Sequence, residues 1–101
     1  MSEPIYTLEV WRVKPGKEAE FIEAWKDLGG VFRQLPNPPS GKGTLLQSLN
    51  DPLLFYSFGP WESAEAIQAM RANAEAQQGI QRVAALCTEA TPGGYKVVAE
   101  S

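Results

Sequence analysis

Histidine is absent from the 101 residues, and cysteine occurs once, at Cys87. Without an imidazole the chain has no His-ligated haem, none of the usual zinc sites, no Ser-His-Asp or Cys-His nucleophile and no imidazole acid–base chemistry. Any catalysis must use carboxylates, phenols, guanidinium or amine groups, or the substrate's own reactivity. One cysteine excludes an internal disulfide, and its place in the apolar run VAALC reads as a buried structural thiol. A cationic surplus is also missing: nine Lys and Arg stand against twelve Asp and Glu, a net charge of -3. No broad positive field exists to neutralise phosphates or anionic lipid, so nucleic acid is not an expected partner. The segments 14–17 and 40–43 lack the full glycine, lysine and hydroxyl spacing of a phosphate loop. No apolar run approaches the roughly 20 residues that span a bilayer, and the opening MSEPIYTLEV lacks the basic and apolar regions of a secretion signal. The expectation is a cytoplasmic protein with no membrane contact, no metal and no cofactor.

What is present suits one domain over 1–101, with 44% hydrophobic residues. A monomer of this size buries only about 60–65% of its unfolded surface, so pairing with a second copy adds useful burial. Ile5–Val13 (IYTLEVWRV) reads as a strand. Its alternation sends Ile5, Thr7, Glu9, Trp11 and Val13 to one face and Tyr6, Leu8, Val10 and Arg12 to the other. Residues 17–28 change to helical spacing, with Phe21, Trp25 and Leu28 on one stripe, and Gly29 and Gly30 end or bend that helix. Val31, Phe32 and Leu35 form a further short turn before the proline-rich loop 36–42.

Strands are expected at 43–49 and 53–58, joined by a turn at Asn50, Asp51 and Pro52. Ser63 is the N-cap of a helix carrying Ala66, Ile67, Met70 and Ala74 inward. A second helical stretch follows at 76–85, with its opening made less certain by Gly79. The chain ends in a strand over 86–91, a break at Pro92, Gly93 and Gly94, and a short strand at 95–99. This order of elements has a compact solution in the ferredoxin-like βαββαβ fold, an α+β fold whose antiparallel sheet carries its helices on one face. The other sheet face then shows Tyr6, Leu8 and Val10. A patch of that kind marks an interface, so sheet-on-sheet homodimerisation is expected, with segment 95–99 adding to the partner's edge.

The residues Val13 to Lys17 with Glu20, Phe21 and Trp25 behind them, the segment Tyr56 to Ser63 (YSFGPWES) and the closing Tyr95 to Val98 carry a resemblance over nearly the whole chain. In them the chain resembles the antibiotic biosynthesis monooxygenase (ABM) domains of the dimeric α+β barrel superfamily. The resemblance implies a pocket between sheet and helices in each subunit and, in some members, oxidation of polycyclic phenols by molecular oxygen without metal or flavin. The protein's task there is to hold the substrate in a dry cavity and stabilise its anion. The haem-degrading branch depends on a histidine ligand that cannot exist here. The polar residue such enzymes place on the first strand is, by its spacing to Pro15 and Gly16, replaced by Glu9.

Glu9 is accordingly the first candidate: a mid-strand carboxylate facing the helices is partly desolvated and suited to act as a general base. Its plainer roles are an ion pair with Arg33 or another cation, or exposure at a strand edge. Trp61, at the end of the third strand where a pocket mouth is expected, joins Trp11 and Phe32 as rings that could stack on a planar small aromatic ligand, and otherwise as core. Ile67 and Met70 are further lining candidates. Arg33 and Arg71 would stabilise an oxyanion if they line the cavity, and are solvated surface if they do not. Two functions fit these residues: a cofactor-independent monooxygenase acting on an aromatic or quinol-type molecule, or a non-catalytic or ligand-binding dimer. Isomerase chemistry on the same scaffold is a third, because fold does not fix function.

Overall fold

A computed structural model describes residues 5–101. The elements run β1 (Ile5–Val13), α1 (Glu18–Arg33), β2 (Thr44–Gln47), β3 (Leu54–Trp61), α2 (Ala64–Ala72), α3 (Ala74–Ala84), β4 (Cys87–Thr91) and β5 (Gly94–Lys96). The strands form one antiparallel sheet in the order β2-β3-β1-β4, with β5 also paired to β1. This is the expected ferredoxin-like α+β fold. No helix among the described residues is long and apolar enough to cross a membrane.

Alternation in β1 divides the sheet as expected. Thr7, Trp11 and Val13 are buried toward the helices. Across the register they meet Gly59 and Phe55 of β3, and Glu9 faces Ser57. Two apolar clusters occupy the space under the helices. One holds Trp11, Val13, Phe21, Leu28, Phe55 and Val83, and the other Trp61, Ala66, Ile67, Met70 and Ala76. Phe21 is fully buried between the rings of Trp11 and Phe55, at centroid distances of 5.7 and 4.8 Å. Phe32 and Ile80 touch both clusters. On the opposite face the register brings Leu8 beside Phe58, Val10 beside Tyr56, Tyr6 beside Tyr95 and Leu46 beside Tyr56. Leu46, Tyr56 and Tyr95 are exposed there.

Several boundaries differ from the sequence expectation. The first helix does not end at Gly29 and Gly30 but continues to Arg33. Two interior glycines cost about 1 kcal/mol each relative to alanine. Burial of Leu28 before them and packing of Phe32 after them, onto both clusters, offset that cost. A third glycine explains how α3 comes so near. A Cβ on buried Gly79 would stand 2.8 Å from Leu28 Cδ1, so any larger residue there would make the Leu28 side chain move for α3 to stay this near α1. The opening of α3 is set instead by Asn73, whose Oδ1 accepts from the Ala76 amide at 3.0 Å. Ala74, expected inward on the preceding helix, begins α3 and is exposed. The Ser63 cap is as expected, accepting from the Ala66 amide at 3.1 Å.

The second strand is shorter than expected, and β3 runs three residues further, through Pro60 to Trp61. Proline is tolerated because β2 stops pairing at Phe58 while the Pro60 carbonyl accepts from the Ser40 amide at 3.0 Å on that side. The missing N–H therefore points away from β1 and removes no ladder bond. The last strand is also shorter than expected. Gly94–Lys96 pairs with β1 of its own chain at Ile5–Thr7, while β4 takes Val10–Val13 of the same edge. The Leu8 amide donates to the Gly93 carbonyl at 3.0 Å between the two.

Candidate functional site

Between the two apolar clusters, on the helix side of the sheet, lies a short polar row. Strand pairing places Ser57 directly opposite Glu9, with Thr7 one step along β1 on the same face. The Ser57 hydroxyl donates to Glu9 Oε1 at 2.6 Å, and Trp11 Nε1 donates to Ser57 Oγ at 2.9 Å. From the other side Trp61 Nε1 donates to Thr7 Oγ1 at 3.2 Å, and Thr7 makes a side-chain hydrogen bond with the Glu9 carboxylate. Thr7 and Ser57 are the buried polar side chains of the described chain. Glu9 itself is half-buried.

Burial raises the Glu9 carboxyl above its ordinary range, and the bonds from Ser57 and Thr7 and the charge of Arg71 only partly offset it. A raised folded-state value means that the native protein holds its proton after the unfolded chain has lost it. Stability is then fully present below the ordinary value of 4.5 and falls as pH rises through the higher folded value. We expect the melting temperature of the parent protein to drop, relative to Glu9→Gln, across that window. Parallel melting curves for the two proteins over pH 4 to 8 would contradict the assignment.

The structure places the remaining candidates as follows. Trp11 and Trp61 are each 3% exposed, so their rings are core and it is their indole N–H groups that reach the polar row. The ring of Phe32 meets Trp61 edge-on at 5.4 Å, and Ile67 and Met70 are buried in the same cluster beneath it. The stacking surface expected from Trp11 and Trp61 is therefore spent on internal packing, while Phe32 is half-buried. Arg33 is exposed and folds back along its own helix, with Nη1 3.5 Å from where a Cβ on Gly29 would stand. Among the described residues no salt bridge reaches Glu9, and the cation that acts on it is Arg71, in the last turn of α2. Ser57 and Thr7 were not singled out from the sequence. The signal was there: both are small polar residues at inward positions of strands whose other inward residues, Glu9 apart, are aromatic, apolar or glycine.

Two open hollows lie elsewhere. One of about 380 Å³ is lined by Pro36, Pro38, Pro39, Glu62, Ser63 and Glu65 among others, and one of about 370 Å³ by Ile22, Trp25, Lys26, Leu45, Gln47 and Phe55. Neither is lined by Glu9, Trp11 or Trp61. Half-buried Trp25, expected in the core, borders the second. Burial likewise raises the Cys87 thiol, whose Sγ lies 3.6 Å from the Val83 carbonyl. Among the described residues no three of His, Cys, Asp and Glu gather as a metal site.

No protein-family model matches this sequence, and no curated protein is significantly similar to it. Solved structures are. A mutant of SnoaB, a cofactor-independent oxygenase from Streptomyces nogalater, aligns with a TM-score of 0.85 at 17% identity, over 98% of this chain and 97% of that one. A Bordetella bronchiseptica protein provisionally named an antibiotic biosynthesis monooxygenase aligns at 0.84 and 20% identity, over 97% and 100% of the two chains. Another antibiotic biosynthesis monooxygenase aligns at 0.75 and 17% identity, over 94% and 99%. With nearly the whole of both chains superimposed in each case, the chain has the fold of the antibiotic biosynthesis monooxygenases.

Proposed function

We propose that the chain is a cofactor-independent monooxygenase that oxidises a small aromatic or quinol-type molecule, with Glu9 as its general base, and that it works as a homodimer through the outer sheet face. The observation that carries this reading is the Glu9 carboxylate, half-desolvated and held between two hydroxyls on the helix side of the sheet. A base of raised proton affinity in such a place is suited to take an acidic C–H or O–H proton from a phenolic substrate. For an anthrone-type methylene, the anion left behind reduces molecular oxygen by forming a carbon–oxygen bond. Loss of water from the resulting hydroperoxide leaves a carbonyl, so that one oxygen atom enters the product and the other leaves as water. The fold shared with a cofactor-independent oxygenase supports the same reading. The exposed Leu46, Tyr56 and Tyr95 on the outer face support the homodimer.

A second reading, a ligand-binding or non-catalytic dimer, is favoured by the burial of Trp11 and Trp61. Oxygen uptake separates the two. With metal-free and flavin-free protein and a panel of hydroquinones and anthrones, we expect protein-dependent consumption of one oxygen molecule per substrate oxidised. A panel that binds without oxygen uptake would leave the second reading in its place.

A further inference from the structure

The polar row has a direction that hydrogen-bond chemistry imposes on it. An indole N–H can only donate, so the Ser57 oxygen, at 2.9 Å from Trp11 Nε1, is committed as an acceptor on that side. Its own proton must then go elsewhere, and the partner within reach is Glu9 Oε1 at 2.6 Å. A serine hydroxyl ordinarily turns to suit whichever partner is present. Here it is 1% exposed and is held by a ring that is itself packed edge-on against Phe21. Trp61 and Thr7 repeat the arrangement from the other side, with the Trp61 N–H donating to Thr7 Oγ1.

We infer that Trp11 and Ser57 are positioning residues for Glu9: the indole N–H locks the serine hydroxyl so that its proton points at the carboxylate, which is thereby presented to substrate as an acceptor in one orientation. This inference rests on the reading of Glu9 as the base and adds what aims it. Aiming matters because a carboxylate held in one orientation keeps its accepting lone pairs in one direction, which a general base needs toward the proton it takes. The relay also opposes burial. Desolvation favours the protonated acid, whereas a hydroxyl committed to donating favours the charged form. Among the described residues the charged group acting on Glu9 is Arg71 from α2, and β1 and β3 bring the uncharged Thr7, Trp11, Ser57 and Trp61.

The test uses Ser57→Ala, Trp11→Phe and the double variant, in the intact protein. Trp11→Phe removes the donor while keeping an aromatic ring in the core, at the loss of some buried volume, so it carries the test even where Ser57→Ala, which strands a buried indole N–H, fails to fold. The Glu9 carboxyl is titrated directly by carbon-13 NMR in the free protein, beside the pH profile of kcat/KM. Loss of one hydrogen bond to a charged carboxylate is expected to raise proton affinity about 10- to 100-fold, moving the midpoint up by about 1 to 2 pH units in Ser57→Ala. Trp11→Phe should move it in the same direction by less. Because the two act in series, the double variant should shift no further than Ser57→Ala alone. An unmoved Glu9 midpoint in Trp11→Phe, an unmoved one in Ser57→Ala, or additive shifts in the double variant overturns the relay. The NMR titration needs no substrate, so a turnover unaffected by Glu9→Gln would reject the base without touching the relay.

Discussion

Glu9→Gln should lower turnover of a quinol-type or anthrone-type substrate by about 10²- to 10⁴-fold, the usual contribution of a positioned general base, while leaving the protein folded and its oligomeric state unchanged. The substitution is close to isosteric. The amide oxygen can still accept from the Ser57 hydroxyl, so the geometry of Trp11 and Ser57 is retained and only the proton-accepting capacity is lost. Stability near neutral pH should not fall, because the variant no longer carries a partly desolvated charge. That combination, a large loss of rate at equal or greater stability, distinguishes a base from a structural residue. The measurement is kcat/KM by oxygen electrode beside a melting curve. Turnover within a factor of about three of the parent would remove Glu9 from the mechanism.

The second large effect concerns the outer sheet face, where Leu8 lies beside Phe58 and Val10 beside Tyr56 at the centre of the β1–β3 ladder. Leu8→Asp should convert a homodimer into monomers at micromolar concentration. In an interface with two-fold symmetry each substitution appears twice, and each carboxylate would lose water on burial among apolar neighbours such as Phe58. The inner face is not disturbed, because Leu8 and Glu9 point to opposite sides of the strand. Light scattering or small-angle scattering reads the result. Parent protein already monomeric at micromolar concentration would end the proposal that this face pairs with a second copy.

How much of this was legible in the sequence varies with the length scale of the interaction concerned. The inward row of β1 could be read because strand alternation is local and strict, and it put Glu9 and Trp11 on the helix side correctly. The Ser63 cap was legible for the same reason, since a cap joins residues three apart. The run of α1 through Gly29 and Gly30 was not, because what carries it is the packing of Leu28 and Phe32 into clusters that draw other members from β3, α2 and α3. Ser57 escaped notice because its importance lies in its partners: Glu9 and Trp11 are 48 and 46 residues away and meet it only once β1 and β3 are in register. The role of the tryptophans changed in the same way. Sequence identified large rings near a carboxylate, whereas only the fold reveals that the rings are filled in and the N–H groups are what remain available.

The sharing of one edge of β1 by β4 and β5 has a further consequence for Glu9. With β3 along its opposite edge, β1 is bonded to neighbours on both sides for most of its length. Fluctuations that free a single loop or helix end leave such a strand in place, and releasing it requires the whole sheet to come apart. The carboxylate is thus mounted on the segment last to open, and a lineage of this protein could remodel its helices and loops around new molecules while the reacting group kept its station.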